Sequence, residues 1–282
     1  MMDKLVSIGM SVYNCSKFVE DAIVSVLKQT YTNWELIIVN DGSTDDTLEK
    51  IKTFKDGRIK VFSDNENRGL PTRLNECIEL SRGFYFARMD GDDIMMPNRL
   101  ETQVNYLETH TDIDVVGSLA IMIDEKTKDF AKKTKYVPQS LNDVISSGSY
   151  FIHPTVMGHL GWFKQHKYDT EAYRVEDFEL WVRTFESSNF FISDDYLLFY
   201  REVMTTYRSK YYQSYLSTKK VLQKYKDKMP DSLYYSTVGK AYVKYLLFDV
   251  FKKLGLLNRK TEMNTDEKVQ FQTQLDKIIQ KY

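Results

Sequence analysis

The sequence predicts an α/β protein in which a mostly parallel sheet with helices on both faces is followed by a helical C-terminal region. Through roughly the first 120 residues, short runs of β-type composition alternate with segments of helical period. Those runs are apolar at nearly every position, as strands covered on both faces must be. Beyond about residue 207 the alternation stops and long helix-period segments take over.

LVSIGMS (Leu5 to Ser11) reads as a buried strand, and KFVEDAIVSVLKQT as an amphipathic helix with Phe18, Ala22 and Val26 on one side. WELIIVN (Trp34 to Asn40) is the next strand. A helix then opens at Ser43 or Thr44, with acidic residues in the first turn, where the helix dipole favours them. IKVFSD is a third strand, LPTRLNECIELS a third helix, and FYFARM a fourth strand running into the acidic RMDGDD. From about Asp112 to Tyr200 the pattern is less regular. DVVGSLAIMID reads as strand, SLNDVISSG as a short helix, HPTVM as the start of a strand, and EDFELWVRTFESS as a helix with Phe178, Trp181 and Phe185 inward. FFISDDYLLFYR reads as two short strands about a turn. Two long helices split at Pro230 follow, and an amphipathic segment runs from Glu267 to Lys281. The expected division is residues 1–206 (1–120 for one ligand, 121–206 for another) and a basic helical region, 207–282.

At 42% hydrophobic and 28% charged residues, with 12 Gly and 5 Pro in 282, the chain is globular and neither disordered nor fibrous. Cys15 and Cys77 are too few for a disulfide framework and fit a reducing compartment. No basic segment leads into a long apolar stretch at the N-terminus, and no apolar run is long enough to span a bilayer, so a cytoplasmic protein is expected. The net charge of -1 conceals a division: residues 1–206 carry 23 basic and 33 acidic residues, while 207–260 carry thirteen basic and three acidic. With Tyr, Leu and Phe interleaved, that basic stretch suits a membrane face, the rest of the core or a second copy of the chain.

In a parallel sheet ligands bind beyond the carboxyl ends of the strands, so SVYN, NDGSTDD and MDGDD should face one crevice. Asp90 and Asp92, with a small glycine between them, can turn towards one point, and paired hard oxygens suit Mg²⁺ or Mn²⁺ bound together with substrate phosphates. Asp41 stands where it can accept a hydrogen bond from a base, Gly42 allows the turn that follows, and Tyr13 offers a ring for stacking while Ser11 offers a hydroxyl. Each feature also has an ordinary structural reading, as an acidic turn, a helix cap or a packed tyrosine. P-loop and dinucleotide fingerprints are absent.

VSIGMSVYN, LKQTYTNWELIIVNDGSTDDT, NRGL followed by LN, RGFYFARMDGDDIMMPNRLETQV, HPTVM and EDFELWVR stand in the order and spacing that resembles the family 2 glycosyltransferases, over about residues 4 to 202. The resemblance implies a GT-A fold and an inverting, metal-dependent transfer of sugar from a nucleotide-sugar, with UDP-sugar favoured, to a saccharide or lipid-linked acceptor in bacterial surface polysaccharide synthesis. It implies Asp41 and Tyr13 at the nucleobase, with Ser11, Asn14 and Asn75 in the donor site. Asp90 would reach the ribose or a metal-bound water, and Asp92 would bind Mn²⁺ or Mg²⁺; Asp93 is a third carboxylate that can instead hold the loop. Asp177 of the Glu176–Asp177 pair would be the general base, His153 would face the acceptor or the diphosphate, Arg88 would pair with a carboxylate or the diphosphate, and Arg201 would lie near the leaving group. Arg73 departs from the small residue usual there; it could approach the base or phosphate or lie exposed on its helix, and exposure is expected. A sugar nucleotidyltransferase and a non-catalytic nucleotide-sugar binder are the alternatives; no nucleic acid is expected as partner, and the working place would be the cytoplasm, at the inner face of the membrane if the basic region binds it.

Overall fold

The computed structural model describes residues 3–133, 136–202, 208–253 and 261–280, so the expected division at 206/207 lies outside the described residues. The first half follows the sequence closely: β1 (Val6–Val12), α1 (Val19–Leu27), β2 (Trp34–Asn40), α2 (Thr47–Lys52), β3 (Ile59–Ser63), α3 (Leu70–Leu80) and β4 (Tyr85–Asp90). These strands pair in parallel in the order β3-β2-β1-β4, and the register sets Ser11 beside both Val39 and Asp90. All their carboxyl ends therefore meet on one edge.

Beyond β4 the sheet becomes antiparallel in most of its pairings. β5 (Ile94–Met95), α4 (Arg99–Thr109), β6 (Val115–Ile123), β7 (Phe130–Lys132), α5 (Leu141–Ser147), β8 (Met157–His159), α6 (Leu160–Gln165), α7 (Glu176–Thr184) and β9 (Phe190–Arg201) follow in turn. β8 pairs antiparallel with β4 and β6, and β9 runs parallel to β6 while holding β5 antiparallel. The sheet is thus mixed, and the "mostly parallel" expectation holds for its first half, β1 to β4.

Helices cover both faces because the central strands are apolar on both. Ile37 and Val39 of β2 pack with Leu74, Cys77 and Ile78 of α3, while Leu36 and Ile38 pack with Val19, Ala22, Ile23 and Val26 of α1. Three local expectations are corrected. α2 starts at Thr47 rather than at Ser43 or Thr44, because those two residues are tied to Asn14. FFISDDYLLFYR is one strand, whose pairing with β6 slips between Gly117 and Leu119, so that the exposed Asp194 and Asp195 bulge outward instead of turning. His153 to Thr155 form a 3₁₀ turn ahead of β8.

The C-terminal region comprises α8 (Arg208–Lys224), α9 (Asp231–Leu246), α10 (Phe248–Lys253), β10 (Thr261–Glu262) and α11 (Thr265–Ile279). Val221, Leu222, Met229 and Tyr234 enter the same apolar cluster as Phe178 and Trp181 of α7. α11 buries Leu275 and Ile278 against Ile94, Ile121 and Phe199, and its start carries an Asn264–Glu267 capping box. Part of the basic region therefore completes the core.

Candidate active site

The acidic loop leaves β4 at Asp90 and is pressed against the end of β1. A Cβ at Gly91 would lie 2.7 Å from Val12 Cγ1 and 3.0 Å from Cys15 Sγ, so only glycine fits between the two aspartates. One oxygen from each of Asp90, Asp92 and Asp93 lies within 4.8 Å of the others. Asp93 is buried: its Oδ1 accepts the Arg201 backbone N–H at 2.8 Å, while Oδ2 has no hydrogen-bond partner. Burial, reinforced by the charge of Asp90, pushes the Asp92 carboxyl up to about 6, and burial also holds Asp93 well above the usual carboxylate range. Three crowded carboxylates with an unpartnered oxygen, Asp93 standing beside Asp90 and Asp92, are a donor set that a hard divalent cation fits.

Arg201, expected near the leaving group, adjoins the acidic loop. Its Nε donates to the Asp92 carbonyl at 2.8 Å, its guanidinium covers the Phe18 ring at 4.5 Å, and the residue is buried. It holds the acidic loop in shape.

On the neighbouring strand end, Asp41 is also buried, and its carboxylate accepts the N–H groups of Arg68 (2.6 Å) and Gly69 (3.1 Å) and Nε of Arg73 (2.9 Å). The expectation of an exposed Arg73 is overturned: at 2% exposure it is bonded to Asp41, Asp64, Glu76 and the Glu66 carbonyl. The physical reason is that α3 presents Arg73 on the stripe of Leu74, Cys77 and Ile78, where a guanidinium persists only if ringed by acceptors. Gly42 has φ of 69°, and a Cβ there would meet the Glu66 backbone at 2.8 Å. Asn14, also left-handed at φ 50°, accepts the Thr44 N–H at 2.8 Å and gives its own N–H to Ser43 Oγ at 3.0 Å. Asn14 therefore joins two strand-end loops, while Tyr13 stands half exposed beside it and Ser11 lies partly buried at the edge.

Across the crevice, α7 opens with Glu176 and Asp177, and neither side chain caps the helix. Ligand atoms of His153, Glu176 and Asp177 lie within 4.8 Å of one another. Glu176 is buried, with Oε2 unpartnered, and burial followed by the charge of Asp177 raises its carboxyl to about 7. Asp177 is the more accessible of the two, and burial raises its carboxyl as well. His153 Nε2 meets the Tyr168 hydroxyl at 2.8 Å, and burial next to Arg88 holds the imidazole neutral, well below its ordinary range. The Asn75 amide brackets the Tyr168 backbone with two 2.9 Å hydrogen bonds.

Arg88 stands between the clusters. Nη2 pairs with Asp90 Oδ1 at 2.6 Å, Nε and Nη1 are buried without partners, and its charge acts on Asp93, Glu176 and Tyr168. Sequence reasoning missed Tyr168, which belongs to no motif, and Lys133, whose half-buried ammonium is under the influence of Asp177 and Asp93. It missed Lys210 of α8 too, which senses Asp92 and Arg174.

Such a sheet, with carboxylates gathered at the strand ends and a second acidic pair across the crevice, defines a class of α/β protein that binds its ligand at the sheet edge. Residues 7–170 match the family described as Glycosyl transferase family 2, and the chain belongs to that family. The O-antigen biosynthesis glycosyltransferase WbnJ of Escherichia coli is 32% identical over 185 residues, covering 64% of this chain and 71% of its own. The chain spans 66%, 72% and 59% of the length of the first three curated relatives it matches. Among solved structures, TarS of S. aureus in complex with UDP-GlcNAc superposes with a TM-score of 0.61 at 16% identity, covering 98% of this chain and 81% of that one. The mannosyltransferase PcManGT from Pyrobaculum calidifontis, in complex with GDP-Man and Mn²⁺, gives 0.59 at 14% identity over 88% and 71% of the two chains. These two likenesses establish the GT-A fold.

Proposed function

We propose that the protein transfers a sugar, with inversion, from a UDP-sugar to a hydroxyl of a saccharide or lipid-linked saccharide in bacterial surface polysaccharide synthesis. The observation that carries this reading is the pair of carboxylate clusters on either side of Arg88. The acceptor oxygen attacks the anomeric carbon as the bond to the diphosphate oxygen breaks, and Asp177 takes the acceptor proton. With its carboxyl raised by burial, Asp177 is a stronger base than an exposed aspartate, and Glu176, nearer neutrality, holds a proton beside it. Asp92 and Asp90 would hold Mn²⁺ or Mg²⁺, which when bound would neutralise charge growing on the departing diphosphate. Arg88 turns its unpartnered N–H groups to the same purpose.

Asp41 supports uracil over guanine. Two acceptor positions of Oδ1 and one of Oδ2 are already filled, leaving room for one imide N–H but not for the paired donors of guanine. UDP-GlcNAc in TarS and the O-antigen role in WbnJ's name agree with a UDP-sugar donor and a saccharide acceptor. In this reading residues 1–206 form the transferase domain, and 207–282 a basic helical extension. The test is calorimetric binding of UDP, dTDP and GDP with Mn²⁺ or Mg²⁺ present. UDP should bind and GDP should not; equal binding of all three, or none, would sink the donor assignment.

A further inference from the structure

Among the described residues, the helical hairpin α8–α9 buries apolar side chains against the body chiefly near one end. Near the body, Val221, Leu222 and Tyr234 are buried, Tyr225 donates to Glu179 at 2.7 Å, and Lys224 and Lys228 pair with Asp169 and Glu186. At the other end the helices meet through tilted aromatic pairs: Tyr212 with Tyr245 (5.1 Å) and Tyr215 with Tyr242 (5.2 Å), while Tyr211 meets Phe248 of α10 (5.0 Å). Apolar surface is left over at this end. Leu216, Tyr242, Val243, Leu246, Leu247 and Val250 are each 40–51% exposed, more than a soluble face needs.

The charge around that surface has one sign. Between residues 208 and 253 the sequence has eleven Lys or Arg against three Asp or Glu, and Lys219, Lys240 and Lys253 stand exposed. We propose that this free end, with α10, is a docking surface for an anionic lipid bilayer. A second copy of the chain fits poorly, since an isologous contact would lay one basic surface on another. Lysines ringing exposed leucine, valine and tyrosine match a bilayer interface, where apolar groups enter the acyl boundary, tyrosine sits at its edge and ammonium groups meet lipid phosphates. No helix among the described residues is long and apolar enough to cross a membrane, so the contact is peripheral.

The same end lies beside the donor site. Arg201 is anchored to the acidic loop, and α8 begins at Arg208, a span of at most about 25 Å. Lys210 senses Asp92, and Tyr211 senses Glu202. Docking would thus bring the crevice to the lipid surface, where a lipid-linked acceptor presents its sugar; this last step rests on the function proposed above.

The experiment is flotation of the full chain with vesicles of phosphatidylcholine alone and of phosphatidylcholine mixed with phosphatidylglycerol. Binding to the mixed vesicles only, falling with salt, is expected. Each of Lys219→Gln, Lys240→Gln and Lys253→Gln should lower the partition about fivefold. The pair Leu246→Asp and Val250→Asp should remove binding, with circular-dichroism melting reporting that the fold is kept. The proposal is overturned if the protein ignores anionic vesicles, if it binds both kinds equally, or if these substitutions leave binding intact. It is also overturned if sedimentation finds a dimer that Leu246→Asp dissolves in a protein that stays off vesicles. Vesicle binding needs no donor, so its failure leaves the transferase reading standing, and the reverse holds too.

Discussion

Replacing Arg73 by alanine tests how the nucleobase end of the site is built. Arg73 and Asp41 have side chains 2% and 6% exposed, so the loss leaves a buried carboxylate short of a charged partner. Breaking such a pair costs about 3–5 kcal/mol. Two considerations place this case at the low end. Asp41 keeps the backbone N–H groups of Arg68 and Gly69, and Asp64 and Glu76, at 36% and 32% exposure, can turn to water. About 3 kcal/mol then corresponds to a fall in melting temperature of about 5 °C for a chain of 282 residues. Calorimetric melting reads the stability, and titration with UDP reads the binding, which should weaken as Asp41 loses its fixed orientation. Arg73→Lys keeps the charge but one contact in place of several, and should recover only part of both losses. An Arg73→Ala protein that melts within a degree of wild type and binds UDP unchanged would refute the reasoning.

Glu176 gives a pH test with a definite sign. Its carboxyl is raised from 4.5 to about 7 by burial and then by Asp177, so its contribution to stability is complete below about pH 4.5 and is lost as pH rises through 7. Glu176→Gln should therefore gain on wild type between pH 5 and pH 8, by ~3 kcal/mol at most, as read by urea unfolding at the two values; a gain in the opposite direction refutes the burial argument. Asp177→Asn should keep UDP affinity within about twofold while slowing transfer to acceptor by 10²–10⁴ or so, measured by product chromatography; full activity would remove Asp177 as base. Gly91→Val should cost about 1–3 kcal/mol or more, because its Cβ meets Val12 and Cys15, and a protein of unchanged melting temperature would mean the loop is looser than described.

What could be read in the sequence followed from burial on two faces. β1 to β4 are apolar throughout, and their ends carried the polar clusters that the register brings together at Ser11 and Asp90. β5, β7 and β10 escaped notice, since two or three residues hold no periodicity. Polarity misled at two places. Arg73 was read by its charge as exposed, although its spacing from Leu74 and Cys77 put it on the buried stripe of α3. Asp194 and Asp195 were read as a turn, although they only bulge from a continuous strand. The motif residues proved to be of two kinds. Asp90, Asp92 and Asp177 each bring a carboxylate oxygen into a cluster of ligand atoms, Asp90 pairing with Arg88 as well, whereas Asn14, Asn75 and Arg201 hydrogen-bond to neighbouring loops. Spacing alone cannot separate the two kinds, because a residue that shapes a site recurs in a motif as faithfully as one that touches the ligand.

The most direct test of the central claim is release of free nucleoside diphosphate from a panel of UDP-, GDP- and dTDP-sugars with Mn²⁺ or Mg²⁺, comparing wild type with Asp92→Ala. A UDP-sugar should be turned over slowly by wild type in the presence of metal, and Asp92→Ala should lose at least about 10² of that rate. Turnover of none of the sugars, or a rate that Asp92→Ala leaves untouched, would contradict the account.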